Sequence, residues 1–191
     1  MSWLRLNQQG HIYGIDCFEN SVNAAKEKGI KAFLCDLEKD KFPFEDNYFD
    51  IVIANQVFEH LKQIYMPLTE IHRVIKPNGY LLFGVPNLAS LHSRLLLSIG
   101  KQPTCIQMFD EHIRAFTPNT LIEFLTFNNL FQLVRFKGLG FYPLIPPFSD
   151  IFSKIFPKAS VIMLILLKKN VRQGVTTWQE EVQRLVKQTN Y

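Results

Sequence analysis

Three polar residues stand where predicted strands end, at positions suited to binding a nucleotide. Residues 11–15 are predicted to form a strand ending at Asp16, a second strand ends at Asp36, and a third ends at Asn55. Open α/β sheets bind ligands at the carboxyl ends of their strands. A carboxylate there can accept both hydroxyls of a ribose, and one on the next strand can accept an adenine amino group. Any one aspartate alone is better explained as a cap, but three such residues in register favour a nucleoside site.

Groups beside these three residues complete the predicted site. The backbone amide of Leu37 directly follows Asp36 and can donate a hydrogen bond to an adenine ring. Asn55 and Gln56, after the third strand, are expected to face the remaining part of the ligand. The chemistry predicted for this edge of the sheet is therefore the binding of an adenosine-containing cofactor.

The elements that must position these residues alternate between strand and helix. Asn20 or Ser21 can cap a short helix, and Gly29 can end it. The segment FDIVIAN is almost entirely apolar, which is typical of a parallel strand covered by helices on both faces. The pattern predicts a Rossmann-like α/β fold with a doubly wound, mostly parallel sheet.

Further along the chain, the same alternation continues and then changes. A helix is predicted to begin near Pro67, and Leu68, Ile71, Val74 and Ile75 form its apolar stripe. Lys-Pro-Asn-Gly is predicted to be a turn before a fourth strand, and Thr117-Pro118 opens another helix. The last two strands follow each other without the usual helical pattern, so we expect them to pair antiparallel. Residues 1–170 are predicted to form one α/β domain, followed by an amphipathic helix or tail over 171–191.

Composition narrows the function classes. The net charge of +4 is small and dispersed, which argues against a nucleic-acid-binding protein. Cys17, Cys35 and Cys105 form no Cys-x-x-Cys pair, so neither a zinc knuckle nor any other metal site is predicted, and a reducing cytoplasm fits best. The longest apolar run, residues 159–167, is about half the ~20 residues of a membrane-spanning helix and is predicted to be a buried strand. The pattern does not indicate an oligomeric state.

Three segments carry a resemblance to a known family. They are YGIDCFENSVNAAK, CDLEKDKFPFEDNYFDIVIANQVFEHL and LTEIHRVIKPNGYLLFGVPN. In order and spacing they resemble the class I S-adenosylmethionine-dependent methyltransferases, in the small branch that includes the ubiquinone-biosynthesis and MetW-like enzymes. The resemblance covers roughly residues 11–170. It implies a methyl transfer from S-adenosyl-L-methionine to a small-molecule acceptor.

The resemblance also implies roles for individual residues. Asp16 would bind the ribose diol, with the backbone around Cys17 beside the adenine face. Asp36 and Leu37 would bind the adenine. Asn55 and Gln56 would line the methionine part of the cofactor.

The sequence departs from this family at its beginning. The family's glycine-rich loop after the first strand does not occur, and MSWLRLNQQG resembles the end of the helix that follows that loop. We therefore expect the first strand and the glycine loop to be missing, and the chain as written to bind the cofactor poorly. The strands on either side of the missing one are expected to have an unpaired edge.

Two histidines are candidates for a general base. His60 follows the third strand, and His112 lies in a segment expected to cover the site. Either imidazole can transfer a proton near neutral pH. Alternatively, His60 has a packing role, and His112 with Arg114 binds an acidic group of the substrate. Glu59 is expected to be a solvated charge in the first turn of a helix.

Other interpretations of function and of one segment remain open. A non-catalytic methyltransferase remnant that binds another protein is the main alternative, and a nicotinamide dehydrogenase is weaker because no Gly-x-Gly-x-x-Gly occurs. A segment rich in Phe and Pro before the last strand is expected to pack against the sheet, although a lid over an apolar substrate or a membrane contact is also compatible. Its apolar residues are Phe141, Leu144, Ile145, Phe148, Phe152 and Phe156.

Overall fold

Two parallel strands joined by a helix form the first part of the structure. The computed structural model describes residues 11–170, and they divide into two units between Phe44 and Glu45. In the first unit, strand β1 (Tyr13–Asp16) pairs in parallel with β2 (Lys31–Leu34), and helix α1 (Glu19–Glu27) connects them. This is the strand–helix–strand order predicted from the sequence.

The ends of α1 differ in how well they were predicted. The helix begins at Glu19, two residues earlier than a cap at Asn20 would place it, and neither Asn20 nor Ser21 caps it. Instead the amide of Phe18 donates to Asp16 Oδ1, so the strand-end aspartate organises the turn into the helix. Gly29 ends the helical segment as predicted, with φ of +79°, a conformation that glycine adopts without strain.

The second unit contains a four-stranded sheet in the order β3-β4-β6-β5. Strand β3 (Phe49–Asn55) pairs in parallel with β4 (Ile75–Pro86), while β6 (Ile162–Lys169) pairs antiparallel with both β4 and β5 (Phe131–Leu139). The predicted α/β class, with its antiparallel final strand pair, is confirmed. Among residues 11–170, β1 pairs only with β2 and β3 pairs only with β4, so the strands form two sheets.

Four helices accompany this sheet. Helix α2 (Tyr65–Val74) precedes β4, and α3 (Leu91–Ser98) and α4 (Pro118–Thr126) follow it. Helix α5 (Phe148–Ile155) lies between β5 and β6. None of the helices in residues 11–170 is long and apolar enough to cross a membrane. The predicted helix over 171–191 lies outside the described residues, as does the segment MSWLRLNQQG.

The core of the second unit is formed by alternate residues of two strands and by the apolar faces of two helices. Alternate residues of β6 are buried, and so are alternate residues of the neighbouring β4. The predicted stripe of α2 is buried, and α4 buries two leucines. Burying each such side chain contributes roughly 1.5–3 kcal/mol. The central members of this core are Leu68, Ile71, Val74, Leu81, Phe83, Val85, Leu121, Leu125, Met163, Ile165 and Leu167.

The predicted Lys-Pro-Asn-Gly turn is instead a bulge within strand β4. The strand begins at Ile75, immediately after α2, and its register against β3 shifts between Phe49 and Ile51. Asn78 has φ of +63°, and a Cβ added to Gly79 would lie 2.9 Å from the backbone oxygen of Asp50. Asn78 and Gly79 therefore adopt an unusual backbone conformation, as expected for turn residues. They do so within strand β4 and not in a loop before it.

Helix α5 was not predicted, and its polar side is the buried one. Its serines are buried: Ser149 Oγ accepts from the amide of Phe141, and Ser153 Oγ donates to the Ser149 carbonyl. Phe141 is buried, but the other apolar residues of this segment are exposed, with Phe148 60% accessible. The expectation that they pack against the sheet is therefore wrong for Leu144, Ile145, Phe148, Phe152 and Phe156.

Candidate active site

In the first unit, two carboxylates lie at the same end of a parallel strand pair. Asp16 is the last residue of β1 and pairs with Leu34, the last residue of β2; Asp36 follows two residues later. Because the strands are parallel, both aspartates lie at the carboxyl edge of this sheet. Cys17, next to Asp16, is exposed. The sequence therefore placed both carboxylates at the edge where ligands of α/β sheets bind.

Asp36 is organised by its own loop. Its Oδ1 accepts from the amide of Glu38 at 3.0 Å, and its Oδ2 accepts from Lys39 Nζ at 2.7 Å. The hydrogen bond from Lys39, followed by that from the Glu38 amide, lowers the pKa of the Asp36 carboxyl. Leu37 is half-buried beside it. Lys39 was missed by sequence reasoning, although its i+3 spacing from an aspartate in a turn was a usable signal.

In the second unit, Asn55 ends β3 and lies directly across from Gly84 of β4. A Cβ added to Gly84 would overlap the amide oxygen of Asn55, so the glycine makes room for this side chain. Gln56 follows with φ of +56°, and its backbone amide donates to the Gly84 carbonyl at 2.8 Å. The role of Gly84 was also missed by sequence reasoning. A glycine inside an otherwise apolar strand was the signal that could have indicated it.

The side chain of Gln56 ends in an unsatisfied donor. Its Nε2 atom is buried and has no hydrogen-bond partner among residues 11–170. A buried amide without a partner costs roughly 1–3 kcal/mol. Native structures rarely retain such a group without a function or a ligand for it. This observation marks the residue after β3 as a place where a polar group can bind.

The two candidate histidines come together in the second unit. His60 belongs to the short 3-10 turn Phe58–His60, and His112 lies in the segment between α3 and α4. Their ring centroids are 4.7 Å apart. His60 Nδ1 lies 3.3 Å from the Glu111 carbonyl oxygen, and His112 Nδ1 lies 3.1 Å from that of Cys105. Residues 52 positions apart in sequence therefore form one imidazole pair.

Glu59 corrects an expectation of the sequence analysis. It is fully buried rather than solvated, and neither carboxylate oxygen has a hydrogen-bond partner among the described residues. Burial raises the pKa of this carboxyl, and its own backbone amide and the charges of His60 and His112 oppose the effect only in part. One potential ligand atom from each of Glu59, His60 and His112 lies within 4.8 Å of the other two.

Arg114 has a structural role that the sequence did not indicate. Its Nε donates to the Leu61 carbonyl at 2.8 Å, and its second terminal nitrogen donates to the Lys62 carbonyl. These bonds attach the segment before α4 to the loop before α2. Because several guanidinium donors are used in this way, the predicted alternative of Arg114 as a ligand for an acidic substrate group is disfavoured.

Comparison with known proteins supports the predicted family. Residues 1–83 match the family described as a methyltransferase domain. Over 81 residues the chain is 34% identical to the 2-phytyl-1,4-naphtoquinone methyltransferase of Nostoc punctiforme, an alignment covering 39% of this chain and 35% of that protein. The chain therefore spans about a third of the length of this curated relative.

Solved structures extend the likeness in fold to most of the chain. A Thermotoga maritima protein described as a SAM-dependent methyltransferase, possibly a histamine N-methyltransferase, superposes with a TM-score of 0.60 at 18% identity. The alignment covers 83% of this chain and 73% of that one. The [4+2]-cyclase SpnF superposes with a TM-score of 0.58 at 17% identity, covering 85% and 68%. Because a cyclase shares it, the fold alone does not define the reaction.

Together these findings confirm the resemblance to S-adenosylmethionine-dependent methyltransferases, in sequence over residues 1–83 and in fold over most of the chain. They provide no evidence for a binding-only remnant. The donors and acceptors of the described residues also fit the cofactor that this family implies. In the first unit, Asp16 and Asp36 can accept hydrogen bonds from hydroxyl and amino groups. In the second unit, taken by itself, the orphaned Gln56 Nε2 can donate one.

Proposed function

We propose that the protein transfers a methyl group from S-adenosyl-L-methionine to a small-molecule acceptor. The observation that carries the proposal is the position of Asp16 and Asp36 at the same edge of paired parallel strands, within the segment that matches the methyltransferase family. The cofactor supplies a methyl group that is already activated on a sulfonium. The chain must then bind the cofactor, orient the acceptor and remove its proton.

The contacts proposed for the cofactor are given for each unit by itself. In the first unit, Asp16 accepts the ribose hydroxyls, Asp36 and the amide of Leu37 bind the adenine, and Cys17 contributes its backbone. In the second unit, Asn55 and Gln56 bind the methionine part, for which the buried Gln56 Nε2 is an available donor. The named relative acts on a phytylated naphthoquinone. A quinone-type ring is therefore the first acceptor class to test.

The histidine pair supplies the base when the acceptor atom is an oxygen. The hydrogen bonds to the Glu111 and Cys105 carbonyls require a proton on Nδ1 of His60 and of His112, because a carbonyl only accepts. Nε2 of each neutral ring is then free to accept a proton from the acceptor. A His60→Ala or His112→Ala variant should lose turnover by about 10²–10⁴-fold. If both variants keep the wild-type rate between about pH 6 and 9, neither ring is the base.

Cofactor binding is tested by calorimetric titration of the full chain with S-adenosylmethionine and S-adenosylhomocysteine. Asp16→Ala and Asp36→Ala should each weaken binding about 10–100-fold, the loss of roughly 1.5–3 kcal/mol expected for a hydrogen bond to a charged group. Glu27→Ala, which removes an exposed carboxylate at the end of α1, is the matched control and should bind as wild type. Equal affinity in all four proteins would contradict the proposed nucleoside site.

A further inference from the structure

The carboxyl group of Glu59 is a buried acid that the fold leaves without a partner. The residue is 0% exposed, and neither Oε1 nor Oε2 makes a hydrogen bond within the part of the chain that the structure describes. An isolated buried carboxylate is costly, and buried charges in proteins are ordinarily paired or coordinate metals. A bound proton or a bound cation would neutralise the carboxylate and so compensate for its burial.

The imidazoles of His60 and His112 lie beside this carboxylate, close enough for all three side chains to bind one metal ion. The ligand atoms that Glu59, His60 and His112 can offer lie within 4.8 Å of one another. Zinc bonds of roughly 2.0–2.2 Å place ligand atoms about 3–3.5 Å apart in a tetrahedral site. Moving these atoms together by up to about 1.5 Å is within the range of side-chain rotation, and His60 is exposed, which leaves a path for the ion.

The hydrogen bonds of the two rings prepare them as ligands. The Cys105 and Glu111 carbonyls accept from Nδ1 of His112 and His60, and Asp110 Oδ2 also lies 3.2 Å from His112 Nδ1. With the proton on Nδ1, the lone pair of each neutral ring is on Nε2. Metal-binding histidines commonly donate their other ring N–H to a carbonyl or carboxylate in this manner, which fixes the tautomer and the ring orientation.

The backbone joins the two segments that carry these side chains. The amides of Ile113 and Arg114 donate to the Glu59 carbonyl at 2.9 and 3.0 Å. The Arg114 side chain adds hydrogen bonds to the carbonyls of Leu61 and Lys62. Glu59 and His112 are thus positioned by a network that does not use the carboxylate or either Nε2 atom, so the ligand atoms remain available.

We propose that Glu59, His60 and His112 bind a zinc ion through one carboxylate oxygen and two imidazole nitrogens. Magnesium and calcium prefer sites made of oxygen ligands, so two nitrogen ligands select a transition-metal ion. Two histidines and a glutamate form a known class of zinc site that leaves one coordination position open. The binding proposal rests on these three residues alone and does not depend on methyl transfer.

The open coordination position could bind the methyl acceptor of the proposed function. An acceptor oxygen bound there would lose its proton more readily, because zinc lowers the pKa of a coordinated hydroxyl or water. With both imidazoles bound to the ion, the proton of that oxygen would pass to solvent water, and no free imidazole would be needed as the base. This link, unlike the binding itself, rests on the proposed function.

The test uses the full chain, treated with EDTA and dialysed, and titrated with zinc in a calorimeter. We expect one zinc per chain with a dissociation constant on the order of micromolar or below, weakened at least about tenfold by Glu59→Gln and by His112→Ala. His92→Ala removes a histidine of α3 outside the cluster and should bind as wild type. Cobalt substitution should give a visible spectrum without the intense thiolate charge-transfer band expected if a cysteine were a ligand.

Two results would overturn the proposal. One is the absence of binding at about 1 mM zinc. The other is unchanged affinity in folded Glu59→Gln and His112→Ala proteins, checked by circular dichroism, with loss in Cys17→Ser, which would assign the ion to the exposed thiol. Because no cofactor is present in the titration, failure of methyl transfer leaves this outcome unaffected.

Discussion

Lys169 and Glu59 are both buried charged residues of the second unit, yet their surroundings differ. The ammonium of Lys169, 8% exposed at the end of β6, donates to the carbonyls of His72 and Ile75 and to Asn47 Oδ1, at 2.6–3.0 Å. The carboxylate of Glu59 has no such partner in residues 11–170. Burial moves both pKa values toward the neutral form, down for Lys169 and up for Glu59.

The difference indicates which buried charge serves the fold and which is open to a ligand. All three donors of Lys169 have acceptors, and one is a carbonyl in the last turn of α2, where a cation also interacts favourably with the helix dipole. Glu59 has a comparable desolvation cost without these compensating bonds. We therefore expect Lys169 to contribute to stability and Glu59 to binding.

The largest effect is expected from Lys169→Met. This change removes the donors of two backbone carbonyls and of Asn47, and should lower the free energy of unfolding by about 2–5 kcal/mol. Lys168→Met, in the neighbouring position of β6, is the control and should change it by less than about 1 kcal/mol. Urea unfolding followed by circular dichroism measures both. Equal effects of the two substitutions would show that the bonds of Lys169 do not stabilise the fold.

The second-largest effect is a pH dependence of stability, and it is expected from His72, which lies near Lys169. Burial, and then the charge of Lys169, lowers the pKa of His72 from 6.5 to about 4. Between these values the unfolded state binds more protons, so this contribution to stability is complete above about pH 6.5 and declines as the pH falls toward 4. At 1.36 kcal/mol per pKa unit the decline amounts to about 3 kcal/mol.

Comparison with His72→Phe isolates this contribution, because phenylalanine retains a ring opposite Phe131 and cannot titrate. The wild type should lose stability relative to the variant as the pH decreases from about 6.5 to 4. Parallel stability curves for the two proteins would mean that His72 is not desolvated in the folded state.

The smallest effect is expected at Glu59. In EDTA, Glu59→Gln should lower the free energy of unfolding by no more than about 1 kcal/mol, because the carboxylate accepts no hydrogen bond within residues 11–170. A loss as large as that of Lys169→Met would show that the carboxylate has a partner, and the contrast between the two residues would fail. Thermal unfolding of both variants under the same conditions makes the comparison direct.

Several elements were predictable because their signals are local. The apolar run of β6, the apolar stripe of α2 and the proline at the start of α4 all lie within single segments. Helix α5 shows the limit of such reasoning. Its pattern is amphipathic, but only the hydrogen bonds of Ser149 and Ser153 reveal that the polar side is the buried one. Periodicity predicts that a helix has two faces and not which of them the fold covers.

The sequence by itself determined that Asp16 and Asn55 end their strands and that Asp36 follows its strand closely, because these residues are near their strands in the chain. Only the tertiary structure decided that His60 lies against His112, that Glu59 beside them is buried, and that Lys169 reaches the end of α2. These relations join residues about 50–120 positions apart. Burial and pKa depend on everything packed around a group, so they follow from the folded arrangement and not from residue type or spacing.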